Sequence, residues 1–281
     1  MPNVSAHRAT FRALHESGCF VIPNPWDPGT ASALRELGFR ALATTSAGFS
    51  FSRGLPDSPD ALTVDAVLEH IAEIVIAADL PVNADFQSGY ATDPDGLAAN
   101  VLRCVEVGVA GLSIEDATGA PDKPLLELSD AVERVRAARA AIDSSGADVL
   151  LTARAECFLV GHPDPLGESI RRLQAYAEAG ADVLFAPGPR EPDDVRAIVE
   201  SVDPKPVNVL ISANSGLSVA DLAELGVRRI SVGSALARAA WGAFLRAAMR
   251  IADDGSFAGL DDAAAFAELN AMFEARDRRR R

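Results

Sequence analysis

Four times in this chain a helix-shaped segment runs into a glycine and then into a short apolar stretch: ELGFRALATT at Gly38, EVGVAGLSIE at Gly108, EAGADVLFAP at Gly180 and ELGVRRISVG at Gly226. A glycine there supplies the left-handed residue that ends a helix. The apolar run behind it is too short for a helix and suits a strand buried on both faces, as in a parallel sheet. Further runs at 19–22, 81–85, 148–152 and 206–210 bring the strand candidates to eight, and helical patterns over 61–78, 131–142, 166–179 and 192–202 separate most of them.

Eight parallel strands with intervening helices either close into a barrel or lie open as a doubly wound sheet. The open dinucleotide-binding sheet would carry G-x-G-x-x-G after its first strand, where this chain has PNPWDPGT. The expected fold is therefore α/β, a (β/α)8 TIM barrel. Two more helical patterns, 235–252 and 261–273, follow the eighth strand and form a C-terminal helical extension. No Gly/Ser-rich or Pro-rich linker interrupts the chain, so 1–281 is read as one barrel domain with C-terminal helices from about 235. The segments 57–62 and 119–126 are the loops expected to move.

With 48% hydrophobic residues in 281, the chain can bury a substantial core. Its net charge of -14 argues against nucleic acid as a partner. The basic run Arg278 to Arg281 reads as a solvated terminus. Three widely spaced cysteines signal neither a disulfide framework nor a zinc ribbon and point to a reducing compartment. Residues 1–10 lack an apolar signal core and no stretch is long and apolar enough for a bilayer, so a cytoplasmic protein without a membrane partner is expected.

Barrel chemistry gathers at the C-terminal ends of the strands. Those ends read Asn24, Trp26 and Asp27; Ser46, Gly48 and Asp57; Asp85 and Gln87; Glu115 and Asp116; Arg154 and Glu156; Pro187; Asn208; Gly233 and Ser234. Carboxylates without histidine suit a hard cation, Mg2+ or Mn2+, held by few protein bonds and several waters. A lone Asp at such a place is also an ordinary helix cap or turn residue. The two lysines, Lys123 and Lys205, fall in a loop and just before a strand, which disfavours imine chemistry. Arg154 at the barrel mouth suits capture of a carboxylate, phosphonate or enolate oxygen, with an ion pair to Glu156 or Glu115 as the competing role. Cys157 and the four histidines read as packing, capping or exposed residues. Gly216 and the pair Gly233 and Ser234 resemble a phosphate cup of barrels that handle sugar phosphates.

The ordered motifs GLPD at 54–57, NADFQSGYA at 83–91, SIEDATG at 113–119, TARAE at 152–156 and PVNVL at 206–210 together resemble the isocitrate lyase/phosphoenolpyruvate mutase superfamily, on its phosphoenolpyruvate mutase-like branch. The resemblance runs from about Phe20 to Phe244. It implies a barrel whose eighth helix packs on a neighbouring subunit, giving a homotetramer of helix-exchanged dimers, and a Mg2+-stabilised enolate of a 2-oxo acid. By position, Asp85 resembles the direct metal ligand, with Asp57 and Glu115 reaching the ion through water. Ser46, Ala47 and Gly48 resemble the segment whose amides hold the substrate carboxylate. Arg154 resembles the residue that binds substrate oxygens, and Asn208 lines the site. Arg154, Asp57 and the loop residue Lys123 form the expected catalytic set.

Two departures stand out. Gln87 occupies the place of a carboxylate in the family's D-x-D-T-G strand end, and the loop DATGAPDKPLLEL lacks the gate motifs of both the isocitrate-type lyases and the phosphonate mutases. The leading expectation is a Mg-dependent lyase cleaving a carbon-carbon bond in a small 2-hydroxy or 2-oxo dicarboxylate. Carbon-phosphorus mutase or hydrolase chemistry is the alternative within the family. A sugar-phosphate isomerase and a non-catalytic metabolite-binding barrel are the alternatives outside it.

Overall fold

The computed structural model describes residues 3–280, with side chains through Glu274. Eight strands run in chain order: β1 Phe20–Ile22, β2 Leu42–Ala43, β3 Val82–Asp85, β4 Gly111–Glu115, β5 Leu150–Arg154, β6 Val183–Phe185, β7 Val207–Leu210 and β8 Arg229–Ser231. All pair in parallel, in the order β1-β8-β7-β6-β5-β4-β3-β2. A backbone hydrogen bond from Ala43 N–H to the Pro23 carbonyl, 3.1 Å, links the two ends. The sheet thus closes, nearly completely, into the expected (β/α)8 barrel.

Helix α1 Val4–Glu16 precedes the barrel, and α2 Pro28–Glu36, α3 Ser46–Ser52, α4 Val64–Ala78, α5 Pro94–Glu106, α6 Leu128–Ser144, α7 Pro165–Glu178, α8 Pro192–Ser201 and α9 Val219–Glu224 lie between strands. After β8 come α10 Ala235–Asp254 and α11 Phe266–Arg280, separated by a short 3-10 turn. Asp-Pro pairs start three of these helices. Asp27, Asp93 and Asp164 each accept a hydrogen bond from the backbone N–H three residues on, at 2.7, 2.8 and 3.0 Å, with proline in the first helical position. Asp27, one of the strand-end polar residues, is therefore a helix cap. At the other helix ends the repeated glycine is required sterically: Gly180 has φ 103°, and a Cβ there would stand 2.8 Å from Cγ of Arg139.

The main core lies between the barrel and its ring of helices, and a second cluster, including Phe11, Leu14, Phe20, Ile22 and Leu150, fills the barrel floor. Helix α1, which was not among the expected elements, closes that floor. Phe11 packs so tightly against Gly111 that a Cβ on the glycine would lie 2.7 Å from its ring. Two other boundaries differ from expectation. The second strand stops at Ala43 because Thr45 caps α3 by accepting from Gly48 N–H at 3.2 Å. The last helix begins at Phe266, since 261–265 follows the 3-10 turn as turn and coil. On α10 only Ala237 is buried, leaving Trp241, Phe244, Leu245 and Met249 exposed. Among the described residues no helix is long and apolar enough to cross a membrane.

Candidate active site

The C-terminal ends of the strands surround a cavity of about 200 Å³, lined among others by Asn24, Thr45, Ser46, Asp57, Asp85, Arg154, Phe185, Asn208 and Ser231. Its electrostatic centre is Arg154, the last residue of β5, which β-pairing sets beside Glu115 on β4 and Phe185 on β6. Arg154 Nη1 lies 3.0 Å from Asp85 Oδ1 and 3.2 Å from Glu115 Oε2. Its Nε donates to Glu156 Oε1 at 2.7 Å, and the guanidinium carbon stands 5.1 Å from the centre of the Phe185 ring. Burial opposes the Arg154 charge, but Glu156, Glu115 and Asp85 together more than offset it and hold the group protonated.

Asp85 is fixed from its other side. Its Oδ2 accepts from Ser46 N–H at 2.9 Å, at the start of α3, and its own N–H donates to Thr44 Oγ1 at 2.8 Å. Asp57 comes from the loop after α3 and lies within hydrogen-bonding reach of Ser46. Burial, then the Asp85 charge, raises its carboxyl above the usual range. Glu115 is raised too, by burial first and then by Glu156, Asp85 and Asp116, against the pull of Arg154. Three carboxylates thus converge with one guanidinium, which a fourth, Glu156, also claims.

An all-oxygen set with surplus negative charge fits a hard divalent ion. Among the described residues no three acidic, histidine or cysteine side chains form a direct metal cage.

Most of the expected site residues meet here. Ser46, Ala47, Asp57, Asp85, Arg154 and Asn208 line the cavity, and Glu115 touches it through Arg154. Of the three amides expected for a carboxylate, Ser46 N–H is held by Asp85 and Gly48 N–H by Thr45, while Ala47 N–H has no partner among the described residues. Lys123 stands apart. It is exposed in the loop after β4, 3.8 Å from Glu127, and does not line the cavity.

Asp116, read with Glu115 as a strand-end ligand, points away and is buried among Arg172 at 3.0 Å, Tyr176 OH at 2.6 Å and Glu156 N–H at 2.9 Å. It braces Glu156 and through it Arg154. Gln87 has φ 44° and lines a separate outer groove beside Thr63 and Thr118. The glycine cup is not assembled. Val232 and Gly233 N–H both donate to Asn24 Oδ1, at 3.0 and 2.9 Å, while Gly216 N–H turns to Asn214. Cys157 is buried, with its thiol pushed up to about 11 by burial, as a packing residue would be.

Arg229 and Ser231, not among the expected strand-end residues, also line the cavity. The alternation Arg229, Ile230, Ser231 could have shown them, since alternate strand residues share a face and two polar ones on a barrel strand face the interior.

The strand ends gather an arginine and several acids at one mouth, the place where barrel enzymes carry their chemistry. A family model described as phosphoenolpyruvate phosphomutase matches residues 11–252, and the chain belongs to that family, within the isocitrate lyase/phosphoenolpyruvate mutase superfamily of lyases and mutases. A crystal structure from Burkholderia cenocepacia J2315 is 47% identical with TM-score 0.92, covering 96% of this chain and 97% of that one. The oxaloacetate decarboxylase of Pseudomonas entomophila is 33% identical, covering 84% of this chain and 82% of its own length. The phosphonopyruvate hydrolase of Variovorax sp. is 29% identical, with 92% and 91% covered.

Proposed function

We propose that this chain is a Mg2+-dependent lyase, with Mn2+ as the other fitting ion, that cleaves a carbon-carbon bond in a small 2-oxo or 2-hydroxy dicarboxylate through an enolate. The observation that carries the reading is Arg154 held between Asp85, Glu115 and Glu156 over a cavity of about 200 Å³. That space is open enough for a small organic acid together with water. Similarity to an oxaloacetate decarboxylase supports the substrate class.

A divalent ion held by Asp85, with Asp57 and Glu115 reaching it through water, would supply Lewis-acid stabilisation of the developing oxyanion. The chain's own groups do the rest. Arg154 offers its charge to a substrate oxygen, and the free Ala47 N–H, beside Ser46, takes a carboxylate. Asp57, raised above the usual carboxylate range, holds or hands over the proton that the enolate carbon needs. Lys123 enters when its loop folds over the cavity. That loop packs beside the 57–62 loop, where Pro59 Cγ would stand 2.6 Å from a Cβ on Gly119.

The same reading makes the protein a cytoplasmic homotetramer of helix-exchanged dimers. Exposed Trp241, Phe244 and Leu245 on α10, and the three free cysteines, support it. The test is turnover with Mg2+ across oxaloacetate, 2,3-dimethylmalate and phosphonopyruvate. Release of a 2-oxo acid or glyoxylate-type product from a dicarboxylate is the expected result. Phosphonopyruvate turnover above that of every dicarboxylate would transfer the reading to carbon-phosphorus chemistry, and no turnover of any would discard it.

A further inference from the structure

Beneath the acidic rim lies a cation that the chemistry above does not use. Arg229, the first residue of β8, is buried inside the barrel and lines the cavity floor. Its Nε donates to Asn208 Oδ1 at 2.8 Å and its Nη2 to Thr152 Oγ1 at 2.9 Å, while Nη1 faces His15 Nε2 at 3.4 Å. Among the described residues no carboxylate pairs with it. Buried charges are ordinarily paired, because the cost of removing them from water is large.

The hydrogen-bond directions around Arg229 are forced. A guanidinium only donates, so the Asn208 oxygen must face it and the Asn208 amide nitrogen must face the other way. That nitrogen donates to Ser231 Oγ at 3.0 Å. The Ser231 hydroxyl is thereby an acceptor toward Asn208, and its own hydrogen has no acceptor among the described residues. Ser231 lines the cavity, so the O–H is left to point at whatever fills it.

We propose that Ser231 is a substrate-binding donor for an oxyanion, a carboxylate or a phosphonate, on the β7–β8 side of the cavity, with Arg229 and Asn208 as positioning residues that fix its hydrogen and supply the charge. The anion is the missing partner of Arg229, reached through the amide and the hydroxyl. The substrate then spans the cavity, one end among Asp57, Asp85 and Arg154, the other at Ser231. This deepens the function proposed above by naming the residue that holds the distal anionic group.

The test uses oxalate and phosphonopyruvate as probes, titrated calorimetrically into the full chain with Mg2+, beside thermal melts of each variant. Ser231→Ala should weaken binding roughly tenfold or more, the loss expected for a hydrogen bond to a charged group, and Ser231→Thr should restore most of it. Asn208→Asp is the sharper variant because it is nearly isosteric. Its carboxylate neutralises Arg229 and draws the Ser231 hydrogen to itself, so probe affinity should fall while the melting temperature holds or rises. A merely structural trio predicts the reverse pattern, altered melting with unchanged affinity, and that result overturns the proposal, as does a wild type that binds neither probe. Relay-dependent binding without turnover of any dicarboxylate keeps this inference and removes the lyase reading; turnover with relay-independent binding does the opposite.

Discussion

Arg154 and Asp85 form an ion pair at 3.0 Å that spans three adjacent strands, from the end of β5 across β4 to the end of β3. On the proposed function a divalent ion takes the same carboxylate, so Arg154 and the ion would share Asp85. Asp85→Ala should therefore abolish Mg2+-dependent turnover and calorimetric Mg2+ binding. The fold should persist, because Arg154 keeps Glu115 and Glu156 as partners. Near-normal Mg2+ affinity in the variant would refute the assignment.

Removing the arginine should cost more than removing the acid. Arg154→Met leaves Asp85, Glu115 and Glu156 clustered without their cation, and breaking a buried pair from one side typically costs about 3–5 kcal/mol. Urea unfolding at pH 7 should show that loss, and added Mg2+ should recover part of it by screening the same carboxylates. A loss below about 1 kcal/mol would mean the cluster relaxes into water.

Lys123→Ala should, on the proposed reading in which its loop closes over the substrate, lower kcat on a dicarboxylate, and it should leave Mg2+ binding unchanged, since the lysine lies outside the cavity. Steady-state kinetics with the true substrate decides this. An unaltered kcat removes Lys123 from the acid–base role and leaves Asp57 with it.

His70 is buried, stacked on Phe49 at 3.8 Å, and its Nε2 has no partner. Burial, then the Arg53 charge, lowers it to about 4. The unfolded chain takes up the proton near pH 6.5 and the folded one does not, so stability is full above 6.5 and falls as pH drops toward 4. His70→Met should remove part of that fall, on the order of 3 kcal/mol at most. Denaturation midpoints at pH 7 and pH 4.5 for both proteins measure it, and equal pH dependence in the two would exclude His70 as the source.

The apolar face of α10 predicts assembly. Light scattering at micromolar concentration should give a tetramer, and the double change Trp241→Glu with Phe244→Glu should reduce it to a smaller species. A monomeric wild type sinks the helix-exchange reading.

The barrel was legible in the chain because its signals are local. A helix ending at Gly38, Gly108, Gly180 or Gly226 needs a left-handed residue whatever surrounds it, and the φ values of 89°, 100°, 103° and 86° follow from that alone. Asp85, Arg154 and Ser46 were legible for a similar reason, since strand order places every strand end at one mouth. Direction was not. Glu115 and Asp116 are neighbours in sequence, yet one meets Arg154 at the cavity and the other is buried against Tyr176 and Arg172, because successive strand-end side chains point to opposite faces and only packing says which face is which. Nor could the chain announce α1 as the floor, or join Arg229, Asn208 and Ser231 into one line of hydrogen bonds. Arg229 and Ser231 share β8 and Asn208 stands opposite Arg229 on β7, so the pairing of those two strands, distant from α1 in sequence, is what brings their donors and acceptors to 2.8 and 3.0 Å.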